Sequence, residues 1–239
     1  MEKALTMPVL DHLEELRKRI IISGATFIFF FLVSFIFVKD IYQFLIKDID
    51  MKLTILSPAD VLWAYMSIAA VAAITFSLPL VAYQVWQYLA PALKPEERMS
   101  SIAYIPLFLL LFLLGLSFGF FVLFPLVMDF LLAISSDQFE AMFTVDRYFK
   151  FMFYMTVPLA ILYELPAVVL FLTKLGFINP KQLVKARKYA YFCLIVISVL
   201  ITPADFLSDV LVIIPLLILY EVSVTLSRVV YRKKSVKEK

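Results

Sequence analysis

The chain has 239 residues, of which 63% are hydrophobic and only 17% are charged, and its formal net charge is +3. Soluble domains carry about 25% charged residues, so this composition excludes an ordinary soluble protein. The single cysteine excludes an intramolecular disulfide, and the single histidine excludes haem ligation by two histidines of this chain. The composition therefore indicates a protein embedded in a lipid bilayer.

Six apolar segments follow one another along the chain, and each is a candidate membrane-spanning helix. A bilayer core about 30 Å thick needs roughly 20 apolar residues in a helix, and these Phe-rich runs lack the alternation of β-barrel strands. We expect an all-α polytopic membrane protein with one transmembrane domain over residues 1–239, including a basic tail at 227–239. The segments are residues 20–38, 61–89, 102–124, 148–172, 189–201 and 207–226.

The basic residues predict the orientation of these segments. The first apolar run ends in Lys39-Asp40 rather than in the small residues of a signal-peptide cleavage site, so we expect it to be retained as the first span. With six spans, one side of the membrane carries 17 Lys and Arg residues and the other side carries 5. The positive-inside rule then predicts that both termini lie in the cytoplasm.

Prolines and segment lengths predict a kinked, open bundle. Pro79, Pro158 and Pro166 lie within apolar segments, where a proline removes a backbone donor and tends to kink a helix. The last two segments are short: the thirteen residues of 189–201 reach only about 20 Å as a helix. A hairpin of this length is expected to thin the membrane or to end below its outer surface.

Two longer connections are expected to form an outer cap. The loop at 39–60 is predicted to hold a short helix near 41–46, and the loop at 125–147 a short amphipathic helix near 130–134, on the outer surface. The spacing of Gly115 and Gly119 is typical of close helix packing, which we expect inside the bundle rather than between two molecules.

One acidic residue lies inside an apolar segment. Glu164, in the sequence LAILYELPAVV, falls where ionisable groups are costly and rare. A functional role is favoured over a structural one in which a neighbouring helix satisfies the acid, and Gln84 is the candidate partner within the bundle. Glu221, near the end of the last segment, is expected to pair with Arg228 or with the basic tail.

Two acidic pairs lie on the side that is otherwise basic. Glu14 and Glu15, in HLEELRKRI, precede basic residues by three and four positions, so ion pairs within one helix account for them on their own. Glu96 and Glu97 lie in the loop YLAPALKPEERMSS between the second and third segments. If the two pairs are adjacent, they form a negative patch that binds the guanidinium groups of a basic peptide, not nucleic acid.

The sequence contains no recognisable catalytic motif. It has no Gly-x-Ser-x-Gly, no Gly-rich phosphate-binding loop and no cluster with metal-ligand spacing. We therefore expect no enzymatic activity, no metal and no cofactor. The energy for any transport must come from an ion gradient or from a partner protein.

Five motifs, in this order along the chain, resemble the TatC family, the multispanning subunit of the twin-arginine protein translocase. They are HLEELRKRI, YQVWQYLAPALKPEER, FPL at 124–126, YELP, and LITPADFLSDVLVIIP. The resemblance implies a signal-peptide receptor in the bacterial cytoplasmic (inner) membrane that exports folded proteins using the proton-motive force. It also implies a multimeric complex with single-span subunits of the TatA and TatB type.

The resemblance further implies roles for individual residues. Glu15 and Glu97 match the acids that engage the arginine pair, and Glu164 matches a buried acid that faces a polar group on a partner helix. The other residues of the two signal-peptide motifs are Leu16, Arg17, Tyr88, Pro91, Glu96 and Arg98. The residues that match the outer turn, near which a partner helix docks, are Thr202, Pro203 and Asp205. Glu14 and Glu96 duplicate the acids, so which member of each pair contacts the arginines stays open. The chain also departs from the family pattern at Asp209, a position at which Gln is familiar in the family.

The residues leave one alternative function open, a proton-coupled secondary transporter of a small solute that uses Glu164 as the proton carrier. Such transporters are typically built from inverted repeats with binding sites at the bilayer midplane. This sequence shows one acid there and no repeat, which favours the receptor.

Overall fold

The computed structural model describes residues 9–47, 53–90, 102, 104–135, 142–202 and 206–237, and almost all of them are helical. In chain order the elements are α1 (Val9–Ile36), α2 (Val38–Leu45), α3 (Pro58–Leu89), α4 (Tyr104–Phe118), a π-helical turn (Gly119–Leu123), α5 (Phe124–Ser135), α6 (Val145–Tyr163), α7 (Leu165–Leu175), α8 (Pro180–Ile201) and α9 (Phe206–Lys237). The all-α prediction is confirmed for the described ranges.

Five helical stretches in the described part of the chain are long and apolar enough to cross a membrane. They are His12–Ile36, Pro58–Leu89, Tyr104–Ile134, Val145–Leu175 and Ser208–Arg232. The segment predicted at 189–201 forms the second half of α8, which is not among the five because the first half of this helix carries four basic residues. The chain is thus a multi-pass membrane protein, and the sixth span stays a prediction.

Local sequence explains where several helices begin and end. The side chain of Ser57 accepts a hydrogen bond from the first turn of α3, and the Asp60 carboxylate accepts one from the Ser57 backbone N–H. Asn179 and Gln182 form the same reciprocal capping arrangement at the start of α8. Gly176 ends α7 with a φ of 82°, a left-handed conformation that favours glycine. These caps make the turn between α7 and α8 short.

The third apolar segment is longer than predicted. Helical structure continues from α4 through the π turn into α5, so neither the predicted end at residue 124 nor a separate helix at 130–134 is correct. Pro125 lacks the backbone donor that a regular helix needs, and it lies two residues after the end of the widened turn. The π turn therefore accompanies the passage of the helix through this proline.

The last helix also differs from the prediction. α9 has 32 residues and remains helical as far as Lys237, through the segment expected to be a separate basic tail. Its apolar stretch, Ser208–Arg232, has 25 residues, so the prediction of two short final spans is wrong for the last one. The apolar half of α8 remains the short segment of this hairpin.

α6 lies at the centre of the bundle and contacts α3, α4, α8 and α9. Its fully buried side chains are Phe149, Met152, Met155 and Leu159. α3 and α6 continue through Pro79 and Pro158, whereas the chain is interrupted at Glu164, between α6 and α7. Pro166 explains this break, because it lacks the N–H that would bond to the Leu162 carbonyl oxygen in a continuous helix and its ring would clash with that carbonyl.

The glycines of α4 bring it against α6. A Cβ atom added to Gly115 would lie 2.6 Å from the Cα of Ala160, and one added to Gly119 would lie 2.9 Å from the Cα of Thr156. Both distances are too short for any side chain. The predicted role of this Gly-x-x-x-Gly in packing within the bundle is confirmed.

The two longer connections meet at one end of the bundle. α2 occupies most of the predicted 41–46 helix. Beyond it, the Thr54 backbone N–H donates to the Phe143 carbonyl oxygen at 2.9 Å, and the Val145 N–H donates to the Thr54 carbonyl oxygen at 3.0 Å. The connection after α2 is therefore hydrogen-bonded to the start of α6. This contact agrees with the predicted cap, which both loops were expected to form together.

Candidate functional site

Arg19 of α1 occupies the centre of a polar cluster at the junction of α1 and α3. Its Nη2 donates to Oε1 of Glu15 at 3.1 Å, and its Nη1 donates to Oε1 of Gln84 at 3.0 Å and to Oε1 of Gln87 at 2.5 Å. The side chains of Arg19 and Glu15 are only 17% and 20% exposed. One guanidinium thus joins two helices and orients the carboxylate that precedes it by one turn.

A second contact joins the same two helices two turns before Arg19. The ring of His12 stacks on Tyr88 with 4.6 Å between the ring centroids, and His12 Nε2 lies 2.7 Å from the Tyr88 hydroxyl. His12, Glu15 and Arg19 are spaced by three and four residues, which places them on one face of α1. That face is the one turned towards the end of α3.

The structure separates the two glutamates of HLEELRKRI. Glu15 and Leu16 are partly buried, whereas Glu14, Arg17 and Lys18 are exposed. Oε2 of Glu15 makes no hydrogen bond to any residue that the structure describes. Of the duplicated acids, Glu15 is therefore the one held in the interhelical cluster, with one carboxylate oxygen still available.

The second acidic pair cannot be placed in the same way. Pro91, Glu96, Glu97 and Arg98 lie outside the described residues, as do Pro203 and Asp205 of the turn between α8 and α9. The chain leaves α3 at Leu89, in the helical turn after Gln87, and resumes in α4. The loop with Glu96 and Glu97 is thus attached at the end of α3 that carries the Arg19 cluster.

Glu164 lies between α6 and α7 and is 8% exposed. Neither of its carboxylate oxygens has a hydrogen-bond partner among the described residues. The predicted partner, Gln84, instead accepts from Arg19, so the expected Glu164–Gln84 contact is wrong. A buried carboxyl group without a partner is costly, which makes Glu164 an acceptor available to a polar group from outside the chain.

Thr202 ends α8 and connects it to the start of α9. Its hydroxyl lies 2.9 Å from the Ser198 carbonyl oxygen and within hydrogen-bonding distance of Oδ1 of Asp209. The acid at position 209 therefore connects the first turns of α9 to Thr202 at the end of α8. Sequence reasoning noted Asp209 as a departure from the family pattern but did not pair it with Thr202.

Glu221 has a different partner from the one predicted. Its Oε2 accepts from Nη2 of Arg187 at 2.6 Å, and its Oε1 accepts from the Tyr191 hydroxyl at 2.5 Å. Arg187 and Tyr191 are four residues apart on α8, and the antiparallel packing of α8 and α9 brings both to Glu221. The proposed pairing with Arg228 is therefore wrong.

Comparison with known proteins identifies the family. Residues 11–215 match the family described as Sec-independent protein translocase protein (TatC). TatCd of Bacillus subtilis strain 168 is 55% identical over 226 residues, 95% of this chain and 93% of that protein. TatCy of the same organism is 40% identical over 235 residues, 97% of this chain and 92% of that protein. The crystal structure of the twin arginine translocase receptor TatC is 34% identical, covers 92% of this chain and 99% of its own, and has a TM-score of 0.77. The chain therefore belongs to the TatC family of Sec-independent protein translocase proteins.

Proposed function

We propose that this protein is the signal-peptide receptor and core subunit of a twin-arginine translocase, which exports folded proteins across the bacterial cytoplasmic membrane using the proton-motive force. In this proposal the chain crosses the membrane six times and both termini lie in the cytoplasm. The family assignment supports this function, and the distribution of basic residues supports this orientation.

The proposal for the binding site rests on the hydrogen bonding of the two carboxylate oxygens of Glu15. Its Oε1 already accepts a hydrogen bond from a guanidinium, that of Arg19, and its Oε2 has no partner within the described ranges. A planar guanidinium suits a carboxylate better than an ammonium does. Glu15 can therefore accept an arginine of the signal peptide at Oε2 while Arg19 holds the carboxylate in position.

Glu97 supplies the second acid in this proposal. It lies eight residues beyond Leu89, and an extended chain spans at most about 3.5 Å per residue, so the loop is long enough to reach the Arg19 cluster at the end of α3. In this proposal Glu15 and Glu97 each bind one of two adjacent arginines. Leu16, Arg17, Tyr88, Glu96 and Arg98 complete the surface around them.

Partner subunits of the TatA and TatB type dock elsewhere on the chain in this proposal. Glu164, whose carboxylate oxygens have no hydrogen-bond partner among the described residues, offers an acceptor to a polar group of a partner helix. The second docking site in this proposal consists of Thr202, Pro203 and Asp205, in the connection between α8 and α9. Partners are needed on grounds of size as well. Six helices, each about 10 Å wide, cannot surround a folded domain about 30 Å across.

Photocrosslinking of a synthetic signal peptide tests the receptor assignment. A photoreactive residue replaces Leu13, which lies two residues before Glu15 and has a side chain that is 56% exposed, and the protein is reconstituted in vesicles. We expect crosslinks to a twin-arginine peptide, fewer crosslinks to its twin-lysine counterpart, and loss of crosslinking in Glu15→Ala and Glu97→Ala. Crosslinking of both variants at the wild-type level would contradict the assignment.

The alternative function, proton-coupled transport of a small solute through Glu164, rests on the same buried acid. Uptake of a small solute by the purified protein in vesicles, driven by a proton gradient, would favour it. The family assignment favours the receptor.

A further inference from the structure

A pocket of about 610 Å³ opens between α5 and the first half of α6, at the end of the bundle where the two longer connections meet. Its apolar wall includes Met128 and Leu131 of α5 and Phe151 of α6, whereas its polar lining comes from α6 alone. The volume falls within the range of about 300–1,000 Å³ that is typical of small-molecule sites. The proposed signal-peptide and partner sites use none of the residues that line it.

The polar lining contains a guanidinium group that is not engaged by the protein. Arg147 lies in the first turn of α6 and is exposed, and its side chain forms no ion pair or hydrogen bond with a residue that the structure describes. The preceding acid, Asp146, does not line the pocket, and its Oδ2 already accepts from Nζ of Lys150 at 3.1 Å. Arg147 can therefore bind an anion in the pocket, and its planar fork suits two oxygens of a phosphate.

The next residue supplies a hydroxyl group. Tyr148 is only 5% exposed, and its ring packs edge-to-face on Phe124 with 5.2 Å between the ring centroids. Its hydroxyl forms no hydrogen bond with any residue in the described ranges, although the hydroxyl of a buried tyrosine usually has a partner. Because Tyr148 lines the same pocket as Arg147, an oxygen of a bound ligand can supply the missing acceptor.

Contacts to other parts of the bundle hold the two ends of the pocket. At the outer end, the carbonyl oxygen of Phe143 accepts from the Thr54 backbone N–H at 2.9 Å. At the other end, the Tyr154 hydroxyl donates to the Leu200 carbonyl oxygen of α8 at 3.0 Å. The pocket is therefore formed by the packing of several elements and not by one flexible side chain.

The pocket extends from the membrane surface towards the hydrocarbon core. The apolar stretch that contains α6 begins at Val145, so Arg147 lies at the start of the span. Tyr154 follows seven residues later, which is about 10 Å further along the helix. A phosphate at Arg147 thus lies at the level of the lipid headgroups. A hydrocarbon chain attached to that phosphate can follow the apolar wall of the pocket, which a free phosphate cannot do.

We propose that this pocket binds one anionic phospholipid such as phosphatidylglycerol. The phosphodiester accepts hydrogen bonds from Arg147 and from the Tyr148 hydroxyl, and one acyl chain lies against α5. A zwitterionic lipid fits less well, because its ammonium group would lie beside Arg147 and Lys150, and no carboxylate is among the described residues that line the pocket. The site shares no residue with the Glu15 cluster, so its occupancy does not depend on the receptor function.

Native mass spectrometry of the full-length protein in detergent tests the proposal. Phosphatidylglycerol, phosphatidylethanolamine and inorganic phosphate are titrated against the wild type, Arg147→Gln and Tyr148→Phe. The wild type should bind phosphatidylglycerol more tightly than the other two probes. Each substitution removes a hydrogen bond to a charged group, so each should weaken binding of phosphatidylglycerol on the order of tenfold. Tyr148→Phe should leave the unfolding midpoint without lipid unchanged, because its hydroxyl has no partner in the described part of the chain.

Two matched controls change the same kinds of group elsewhere. Lys39→Gln removes an exposed cation at the same end of the bundle, and Tyr189→Phe removes the hydroxyl of a tyrosine on α8 that is 72% exposed. Both should bind phosphatidylglycerol like the wild type. Unchanged binding by the two pocket variants would overturn the proposal, as would equal losses in the controls or equal affinity for phosphatidylethanolamine or inorganic phosphate. If Arg147→Gln lowers the unfolding midpoint without lipid, Tyr148→Phe carries the test.

Discussion

Arg19 of α1 donates a 3.0 Å hydrogen bond to Gln84 of α3, across the interface that joins the first helix to the rest of the bundle. The same guanidinium holds Glu15 by a hydrogen bond of 3.1 Å. Because α1 packs mainly against α3, the position of Glu15 depends on this contact. The acid proposed to bind an arginine of the signal peptide is therefore oriented by an arginine of its own helix.

Removal of Arg19 is predicted to destabilise the protein. Arg19→Ala leaves Glu15, Gln84 and Gln87 without their shared donor. A hydrogen bond to a charged group contributes about 1.5–3 kcal/mol in net stability, and the contributions of three bonds from one partly exposed guanidinium do not add. We expect the free energy of unfolding in detergent to fall by about 2 kcal/mol. Arg17→Ala is the matched control, because Arg17 is exposed two residues earlier on the same helix. Equal effects of the two substitutions would contradict the role assigned to Arg19.

Two glycines in helix interiors should respond in opposite ways to the same substitution. Gly115→Ala places a methyl group 2.6 Å from the Cα of Ala160, so α4 and α6 must separate, which costs about 1–3 kcal/mol. At Gly24 no atom lies within 4 Å of the new Cβ. Gly24→Ala is expected to be neutral or to stabilise by up to about 1 kcal/mol, since alanine favours a helix. Thermal unfolding of both variants checks this, and a stable Gly115→Ala protein would refute the close packing.

Glu164→Gln should separate binding of the peptide from recruitment of partner subunits. The substitution keeps the size of the side chain and removes the carboxyl group, which has no partner among the described residues. We expect an unchanged or raised unfolding midpoint, unchanged affinity for the signal peptide and weaker copurification with TatA- and TatB-type subunits, because an amide oxygen is a weaker acceptor than a carboxylate. Copurification at the wild-type level would instead assign Glu164 a structural role.

The turn between α8 and α9 provides a test of the hydroxyl group of Thr202. Thr202→Val keeps the shape of the side chain but removes the hydrogen bond to Asp209. The expected loss of stability is about 1 kcal/mol, the typical net contribution of a hydrogen bond. Thr202→Ser retains the hydroxyl and should behave like the wild type in the same unfolding experiment. If Thr202→Ser is as unstable as Thr202→Val, the methyl group of Thr202 accounts for the loss of stability and the hydrogen bond does not.

Much of the architecture could be predicted from the sequence because apolar length and proline placement depend on local chemistry. The helix at 38–45 and the break before Pro166 are of this kind. The continuation of the helix through Pro125 could not be predicted, because it involves a π turn and no residue pattern in the sequence indicates one. The length of α9 was missed because basic residues at 228–237 suggest a tail although they also favour helix.

The partners of the polar residues were harder to predict than the helices. Periodicity gave both glutamates of the first motif acceptable ion-pair spacings, and only the packing of α1 on α3 separates buried Glu15 from exposed Glu14. Gln84 was assigned to Glu164 because both lie in apolar segments, whereas the end of α3 faces α1. Such pairings depend on helix rotation and neighbour order, which a single sequence does not contain.

A double-mutant cycle between Glu15 and the signal peptide tests the central claim most directly. The affinities of a twin-arginine peptide and of a peptide with one Arg→Gln change are measured for wild-type protein, Glu15→Gln and the control Glu14→Gln, by fluorescence anisotropy in vesicles. If Glu15 binds that arginine, the peptide substitution weakens binding about tenfold or more in the wild type and in Glu14→Gln, and has little further effect in Glu15→Gln. Equal losses in all three proteins, for each of the two arginines in turn, would contradict the account.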